Sequence, residues 1–185
     1  HLLLYMRASG VFAKIAGSSI LHFAPEKRLS PLLAAQGPAR HVRCDLYPAS
    51  PDIQRVDMQA MPFDAASFDL VLANHVLEHV DSPDLALGEV YRVLKPGGHA
   101  IVQTPYADRL QHTWEDPGID TPDARLQAYG QEDHARLFGR DIFEVFQRSG
   151  LVACIGTHRA LLSDYDAARH GVNPDEPFFL FRKPG

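Results

Sequence analysis

The sequence predicts an α/β protein in which a mostly parallel, seven-stranded sheet lies between two layers of helices. Short apolar runs of strand length alternate with helical segments, and polar residues stand where the runs end. The segment 57–105 shows all three features. Because ligands bind at strand ends in open parallel sheets, these polar residues also predict a site.

The segment 57–105 has the order strand, crossover helix, strand. The apolar run 68–73 has the length of a buried strand and stops at a polar cluster that begins with Asn74 and His75. A helix with an apolar face follows, and Lys95-Pro96-Gly97-Gly98 ends it. The next apolar run, 99–104, predicts the neighbouring parallel strand.

The remaining elements follow from the same patterns. Helices are expected over 2–9, 27–36 and 141–149, and strands over 19–23, 40–44, 53–56, 151–155 and 178–181. The connection 105–139 is too polar to belong to the sheet. Since long loops in compact domains often form lids or substrate walls, we expect a substrate-side insertion or lid there.

Composition favours a single domain over 1–185, located in the cytoplasm. No apolar run approaches the roughly 18 to 20 residues that cross a bilayer, and Cys44 and Cys154 lie too far apart for a metal-ligand motif. A net charge of −5 with dispersed Lys and Arg disfavours nucleic acid, so small molecules or peptides are the expected partners. The oligomeric state is left open. Because the chain starts at His1, directly in apolar sequence, a preceding segment of a longer polypeptide is also left open.

Three pieces of sequence carry a family resemblance. They are DMQAMPF before the strand 68–73, SFDLVLANHVLEHV through it, and EVYRVLKPGG before the next strand. In this order and at this spacing they resemble the class I S-adenosylmethionine-dependent methyltransferases, especially the small type 11 group. The resemblance implies a Rossmann-like three-layer sandwich, S-adenosylmethionine as cofactor, and methyl transfer by in-line displacement. It does not identify the acceptor.

The first turn departs from the family pattern. Such enzymes usually place an acid at the end of the first strand and then a glycine-rich turn, but here His22 takes the acid position. Ala24 and Glu26 stand where glycines usually stand, so we expect a less permissive backbone. Phe23 and Ala24 remain candidate cofactor contacts. Glu26 is expected to contact the methionine ammonium or the ribose, and the alternative is a surface helix cap.

The same turn bears on competing functions. A carboxylate at Glu26 repels the pyrophosphate of a dinucleotide, and no GxGxxG motif is present, which disfavours a nicotinamide-dependent oxidoreductase. A non-catalytic domain that retains the fold stays open as the second alternative, because the turn is altered.

The other cofactor-binding candidates follow the next strands. The resemblance assigns Asp45 to the ribose hydroxyls, and an Asx turn is the alternative. It assigns Asp57 and Met58 to adenine, although Met58 also suits an ordinary core position. Asn74 and His75 stand where the methionine moiety and the transferable methyl are expected. His75 is either a general base or a histidine that packs against the cofactor.

The connection carries a second polar cluster. Its pieces TWED and GQEDHARLFG match patterns found in a subset of the same enzymes. The candidate substrate-binding residues are His112, Glu115, Tyr129, His134 and Arg136, and His134 is also a candidate catalytic residue. The alternative is an internally salt-bridged lid. His112, Glu115 and His134 match no specific metal-binding spacing, so no metal site is predicted.

Overall fold

A computed structural model describes residues 1–185, and one seven-stranded sheet organises it. The strands are β1 (Ser19–Phe23), β2 (Arg40–Asp45), β3 (Gln54–Arg55), β4 (Phe68–Ala73), β5 (Leu94–Ile101), β6 (Val152–Ala153) and β7 (Leu180–Arg182). Their order is β3-β2-β1-β4-β5-β7-β6, and β7 alone runs antiparallel to its neighbours. The predicted α/β fold with a mostly parallel seven-stranded sheet is confirmed.

The helices cover both faces of this sheet. They are α1 (Leu2–Ala8), α2 (Leu29–Ala34), α3 (Pro83–Val93), α4 (Pro122–Tyr129), α5 (Ile142–Arg148), α6 (His158–Leu161) and α7 (Ala167–His170), with a short 3₁₀ turn at Phe12–Lys14. None of them is both long enough and apolar enough to span a bilayer. Sequence patterns missed α4, α6 and α7, because these short helices bury almost no apolar side chain.

The sheet divides the interior into two apolar clusters. Along β1, Leu21 and Phe23 face the cluster that includes α3 and α5, whereas Ile20 faces the cluster that includes α1 and α2. Both faces of the central strands are therefore buried, as is typical of parallel sheets. Because ligands of open parallel sheets bind at the carboxyl ends of the strands, the polar residues after β1, β2 and β4 place the candidate site at that edge.

The strand β5 begins earlier than the sequence predicts. Its ladder with β4 pairs Phe68 with Leu94 and then Leu70 with His99, so residues 95–98 bulge out of the strand. A side chain at Gly98 would place Cβ only 2.9 Å from the Lys95 carbonyl oxygen, which explains the glycine. The strand also ends at Ile101, so residues 102–104 lie beyond it, at the carboxyl edge.

Candidate functional site

A cavity of about 520 Å³ opens where β1, β2 and β4 end, a volume within the usual range for small-ligand sites. We call it the main cleft. Its lining is Phe23, Ala24, Asp45, Leu46, Tyr47, Val56, Asp57, Met58, Gln59, His75, Val76, His79, Val80, Asp81, Arg125 and Asp133. Six of the eight residues that the sequence predicts as cofactor contacts lie in this lining. Glu26 and Asn74 do not.

The turn after β1 takes a conformation that normally favours glycine. Ala24 has φ +44°, and its N–H donates to the Cys44 carbonyl at 2.9 Å. For a residue with a Cβ, this left-handed backbone costs about 1 to 2 kcal/mol. The alanine therefore makes the turn at a cost in strain, and the neighbouring β2 holds it in place.

Glu26 links the ends of β1 and β4. One carboxylate oxygen lies 2.8 Å from His22 Nε2, and the other accepts a 2.8 Å hydrogen bond from the Asn74 amide. Burial alone would raise the pKa of Glu26, but the hydrogen bond and charge of His22, with the Asn74 bond, outweigh it and lower the pKa. These bonds differ from those of a surface helix cap. A contact between Glu26 and a cofactor stays a prediction.

Two acids border the main cleft next to β2 and β3. Asp45 Oδ1 accepts from the Tyr47 N–H at 2.8 Å, which is the Asx turn that the sequence allows. Asp57 Oδ1 likewise accepts from the Gln59 N–H at 2.8 Å. In each acid the second oxygen makes no hydrogen bond within the protein, so the turn and a ligand contact are compatible. Met58 is both core and cleft wall, since it is 3% exposed.

His75 has a strained backbone at the end of β4. Its φ is +55°, and its N–H donates to the Gln103 carbonyl at 2.8 Å. Nδ1 lies 3.3 Å from a carboxylate oxygen of Glu78, and this hydrogen bond is the largest of the effects that raise the pKa of His75. The side chain is half exposed, which leaves it accessible to a ligand.

A second cavity of about 550 Å³ meets the main cleft at His75. Its lining is His75, Thr104, Pro105, Tyr106, Asp108, Arg109, Asn173, Asp175 and Glu176. Apart from His75, the sequence reasoning predicted none of these residues as functional. These other residues come from two chain segments, one after β5 and one before β7, and only the fold brings the segments together. The polar TPYADR that follows β5 was the one local signal available.

Arg136 does not line either cavity. Its guanidinium pairs with both carboxylate oxygens of Glu115, at 2.8 and 3.1 Å, and also donates to the carbonyls of Leu77, Val80 and Asp81. The side chain is almost fully buried. These bonds fasten the connection 105–139 to the turn after β4, which matches the alternative of an internally salt-bridged lid.

The other predicted substrate residues are similarly placed away from the cavities. Tyr129 and His134 are 4% and 5% exposed, so the polarity that keeps the connection out of the sheet does not keep these two side chains out of the interior. The Tyr129 hydroxyl accepts from the Asp116 N–H, and His134 Nδ1 lies 3.2 Å from the Tyr129 carbonyl. His112 is largely exposed and lies near Asp141 instead. The connection reaches the main cleft through Arg125 and Asp133.

A family model described as a methyltransferase domain matches residues 16–102, from β1 through the end of β5. This chain belongs to the class I S-adenosylmethionine-dependent methyltransferases. The match covers all the strand ends that build the main cleft. The connection and the segment before β7 lie outside it.

Individual relatives agree with the family. Malonyl-[acyl-carrier protein] O-methyltransferase of Erwinia billingiae is 34% identical over 110 residues, which are 58% of this chain and 41% of the relative. A protein of Mycolicibacterium smegmatis named "Probable S-adenosylmethionine-dependent methyltransferase" is 34% identical over 135 residues, which are 71% of this chain and 47% of that protein. The chain thus spans about half or less of the length of these relatives.

A solved structure shows the same fold over nearly the whole chain. The 1,6-didemethyltoxoflavin-N1-methyltransferase of Burkholderia thailandensis, solved with 1,6-didemethyltoxoflavin and S-adenosylhomocysteine bound, has a TM-score of 0.63. It covers 98% of this methyltransferase chain and 79% of its own, at 15% identity. This similarity supports the Rossmann-like architecture, including the parts that the family model leaves out.

Proposed function

We propose that this chain binds S-adenosylmethionine in the main cleft and transfers its methyl group to a small polar acceptor in the second cavity. One observation carries the proposal: the two cavities meet at His75, at the end of β4. A methyl donor in one cavity and an acceptor in the other would then meet at the same side chain.

The lining of the main cleft suits each part of the cofactor. Asp45, with one free carboxylate oxygen, would accept from the ribose hydroxyls, and Asp57 would accept from the adenine amine. Met58 would pack on the adenine ring. Glu26 and Asn74 are not part of this lining, but Glu26 follows Ala24, which is, and its carboxylate would attract the cationic methionine end.

The chemistry asks mainly for alignment. The sulfonium is already an activated methyl donor, so the protein must place an acceptor lone pair behind the methyl carbon and exclude water. Such positioning supplies roughly 7 to 11 kcal/mol of barrier reduction. His75 would take the proton from a hydroxyl or protonated amine, a contribution of about 10²-fold to 10⁴-fold. His134, which borders neither cavity, has no support as a catalytic residue.

The charge of the second cavity favours a basic acceptor. Its lining has three carboxylates, Asp108, Asp175 and Glu176, against Arg109 and His75. The names of the relatives include both oxygen and nitrogen methylation, so they do not select an acceptor. Electrostatic complementarity instead favours a small amine or another cationic molecule.

The cofactor assignment is tested by calorimetry with S-adenosylmethionine, S-adenosylhomocysteine and NAD. We expect the first two to bind and NAD not to bind. Asp45→Ala should weaken S-adenosylhomocysteine binding by about 1.5 to 3 kcal/mol, or about 10- to 150-fold, because charge-assisted hydrogen bonds are lost. Asp84→Ala is the matched control, since this exposed acid pairs only with Arg148. Equal affinity in wild type and a folded Asp45→Ala would contradict the ribose contact.

The acceptor class is tested by following S-adenosylhomocysteine formation with matched panels of small amines and small carboxylic acids. Amines should be turned over, and Asp108→Asn should lower kcat/KM for them while leaving S-adenosylhomocysteine affinity unchanged. Turnover confined to the acids would overturn the assignment. Cofactor binding without turnover of either panel would favour a non-catalytic domain.

A further inference from the structure

We propose that Glu78, His79 and His134 form a binding site for a divalent first-row transition metal such as Zn²⁺. One ring nitrogen of each histidine and one carboxylate oxygen all lie within 4.8 Å of one another. Imidazole and carboxylate together are a ligand set that zinc accepts.

The three residues come from two parts of the chain. Glu78 and His79 lie in the turn after β4, and His134 lies in the connection 105–139. Glu78 and His134 are 1% and 5% exposed, whereas the side chain of His79 is 30% exposed. Two of the three ligands are therefore buried. The third, His79, lines the main cleft, so the cluster can be reached from there.

Backbone carbonyls set the orientation of both histidines. His79 Nδ1 lies 3.1 Å from the Asp133 carbonyl, and His134 Nδ1 lies 3.2 Å from the Tyr129 carbonyl. Because a carbonyl only accepts hydrogen bonds, Nδ1 must carry the proton in each ring. In the neutral rings, both Nε2 atoms then present lone pairs. Metal-bound histidines in proteins are usually held in this way, with the second nitrogen donating to a carbonyl or carboxylate.

The His134 lone pair and the Glu78 carboxylate face each other without a hydrogen bond between them. His134 Nε2 makes no hydrogen bond within the protein, and it lies 4.0 Å from a carboxylate oxygen of Glu78. A neutral imidazole lone pair and a carboxylate that face each other inside a protein repel. Either a proton on the ring or a cation between the two groups removes this repulsion. A cation also takes a third ligand from His79, which lies within 4.8 Å of both groups.

Glu78 is prepared as a ligand by its other contacts. The Thr104 hydroxyl donates to Oε2 at 2.9 Å, which fixes the carboxylate and leaves Oε1 towards the histidines. Ala135 donates its N–H to the Glu78 carbonyl at 2.9 Å, so the two chain segments are already joined here. His75 Nδ1 also lies 3.3 Å from Oε1, and a carboxylate oxygen has lone pairs for both a hydrogen bond and a metal ion.

The three ligand atoms must move closer together to bind zinc. Zinc binds nitrogen and oxygen at about 2.0 to 2.2 Å, which places tetrahedral ligand atoms about 3.3 Å apart. The present separations of up to 4.8 Å must therefore shorten by up to about 1.5 Å. His79 can supply this movement, since part of its ring lies in the main cleft. The bound metal would tie the connection to the turn after β4.

The test is calorimetric titration of Zn²⁺ into the protein after treatment with a chelator. Wild type should bind one equivalent, and His79→Ala should bind at least about 10-fold more weakly. His112→Ala is the matched control, because this histidine lies in the same connection but is exposed and outside the cluster. It should bind like wild type. His134→Gln should weaken binding as well, and His79→Ala keeps the test valid if that buried variant does not fold.

Two results would overturn the metal site. One is equal Zn²⁺ affinity in wild type and His79→Ala, which would mean that other histidines bind the ion. The other is a ¹⁵N spectrum in which His134 is an imidazolium both before and after Zn²⁺ is added. In that case a proton compensates the charge of Glu78, and no metal is needed.

Discussion

At the scale of single residues, a chain of four polar side chains connects β2 with the end of β4. His41 Nε2 lies 3.4 Å from His22 Nδ1, His22 lies 2.8 Å from Glu26, and Glu26 accepts from Asn74. His22 stands where the family usually has an acid, and Glu26 supplies a carboxylate four residues later. Because His22 is fully buried, it holds Glu26 in a fixed position instead of contacting a ligand itself.

His41 should make stability depend on pH. Burial, followed by the charges of His22 and Arg43, lowers the pKa of His41 to about 4. The unfolded chain takes up this proton near pH 6.5, whereas the folded protein takes it up only near pH 4. The free energy of unfolding is therefore unaffected by His41 above about pH 6.5 and falls as the pH drops from there towards 4. In thermal melts over this range, wild type should lose more stability than His41→Gln, which has no proton to bind.

A matched control separates this effect from general acid sensitivity. His170 is exposed on α7, so His170→Gln should follow the wild-type pH profile. Parallel profiles for wild type and His41→Gln would show that His41 takes up its proton equally well in the folded and unfolded protein.

The position of polar residues at the strand ends was predictable from the sequence, and contacts between distant segments were not. Asp45 and Asp57 follow the predicted strands 40–44 and 53–56, and His75 comes two positions after the strand 68–73, so their place at the carboxyl edge follows from the parallel sheet. Asp108 and Asp175 are 67 positions apart in the printed sequence, and no local pattern indicates that they share a cavity. Their proximity results from β7 inserting between β5 and β6.

At the scale of elements, the connection 105–139 shows why polarity is an incomplete guide to burial. Its polarity predicts a lid or substrate wall in which Arg136 contacts the acceptor. Instead Arg136 is buried, since five hydrogen-bond acceptors surround its guanidinium and replace water. Buried charges need such partners, and a sequence does not reveal whether the fold provides them.

Arg136→Ala should therefore act on stability. The substitution leaves the buried carbonyls of Leu77 and Val80 without this donor, and each unsatisfied buried polar group costs about 1 to 3 kcal/mol. Glu115 is 48% exposed and can turn to water. Urea unfolding should show the loss. Arg148→Ala is the control, because Arg148 forms an exposed bidentate pair with Asp84 and its loss should cost about 1 kcal/mol or less.

A loss of turnover without a loss of stability would support the predicted role of Arg136 in substrate binding. If Arg136→Ala unfolds at nearly the wild-type urea concentration and binds S-adenosylhomocysteine normally, but turns over no acceptor, the arginine acts on the acceptor. The buried geometry makes this result unexpected.

At the scale of the whole molecule, one sheet couples both apolar clusters and both cavities. The strands β1 and β4 contribute side chains to each cluster, so neither cluster can unfold alone without breaking the sheet. The main cleft takes its walls from β1, β2, β4 and the connection. Ligand binding there should consequently stabilise the entire chain.

The chain provides its own reporter for this coupling. Trp114, the sole tryptophan, lies in the connection, where its backbone exchanges two hydrogen bonds with Leu137 and its ring meets Tyr129 edge-on. Far-UV circular dichroism reports the helices and the sheet. We expect tryptophan fluorescence and circular dichroism to follow one thermal transition, because Arg136 fastens the connection to the sheet.

S-adenosylhomocysteine should move that transition as a unit. At 100 times its dissociation constant, a ligand that binds only the folded state adds about 2.7 kcal/mol. For a chain of this size, that corresponds to an increase in Tm of about 5 to 11 °C. Both signals should shift equally, since Arg125 and Asp133 bring the connection into the cleft wall. A ligand shift in circular dichroism that leaves Trp114 fluorescence unchanged would show that the connection folds separately and takes no part in cofactor binding.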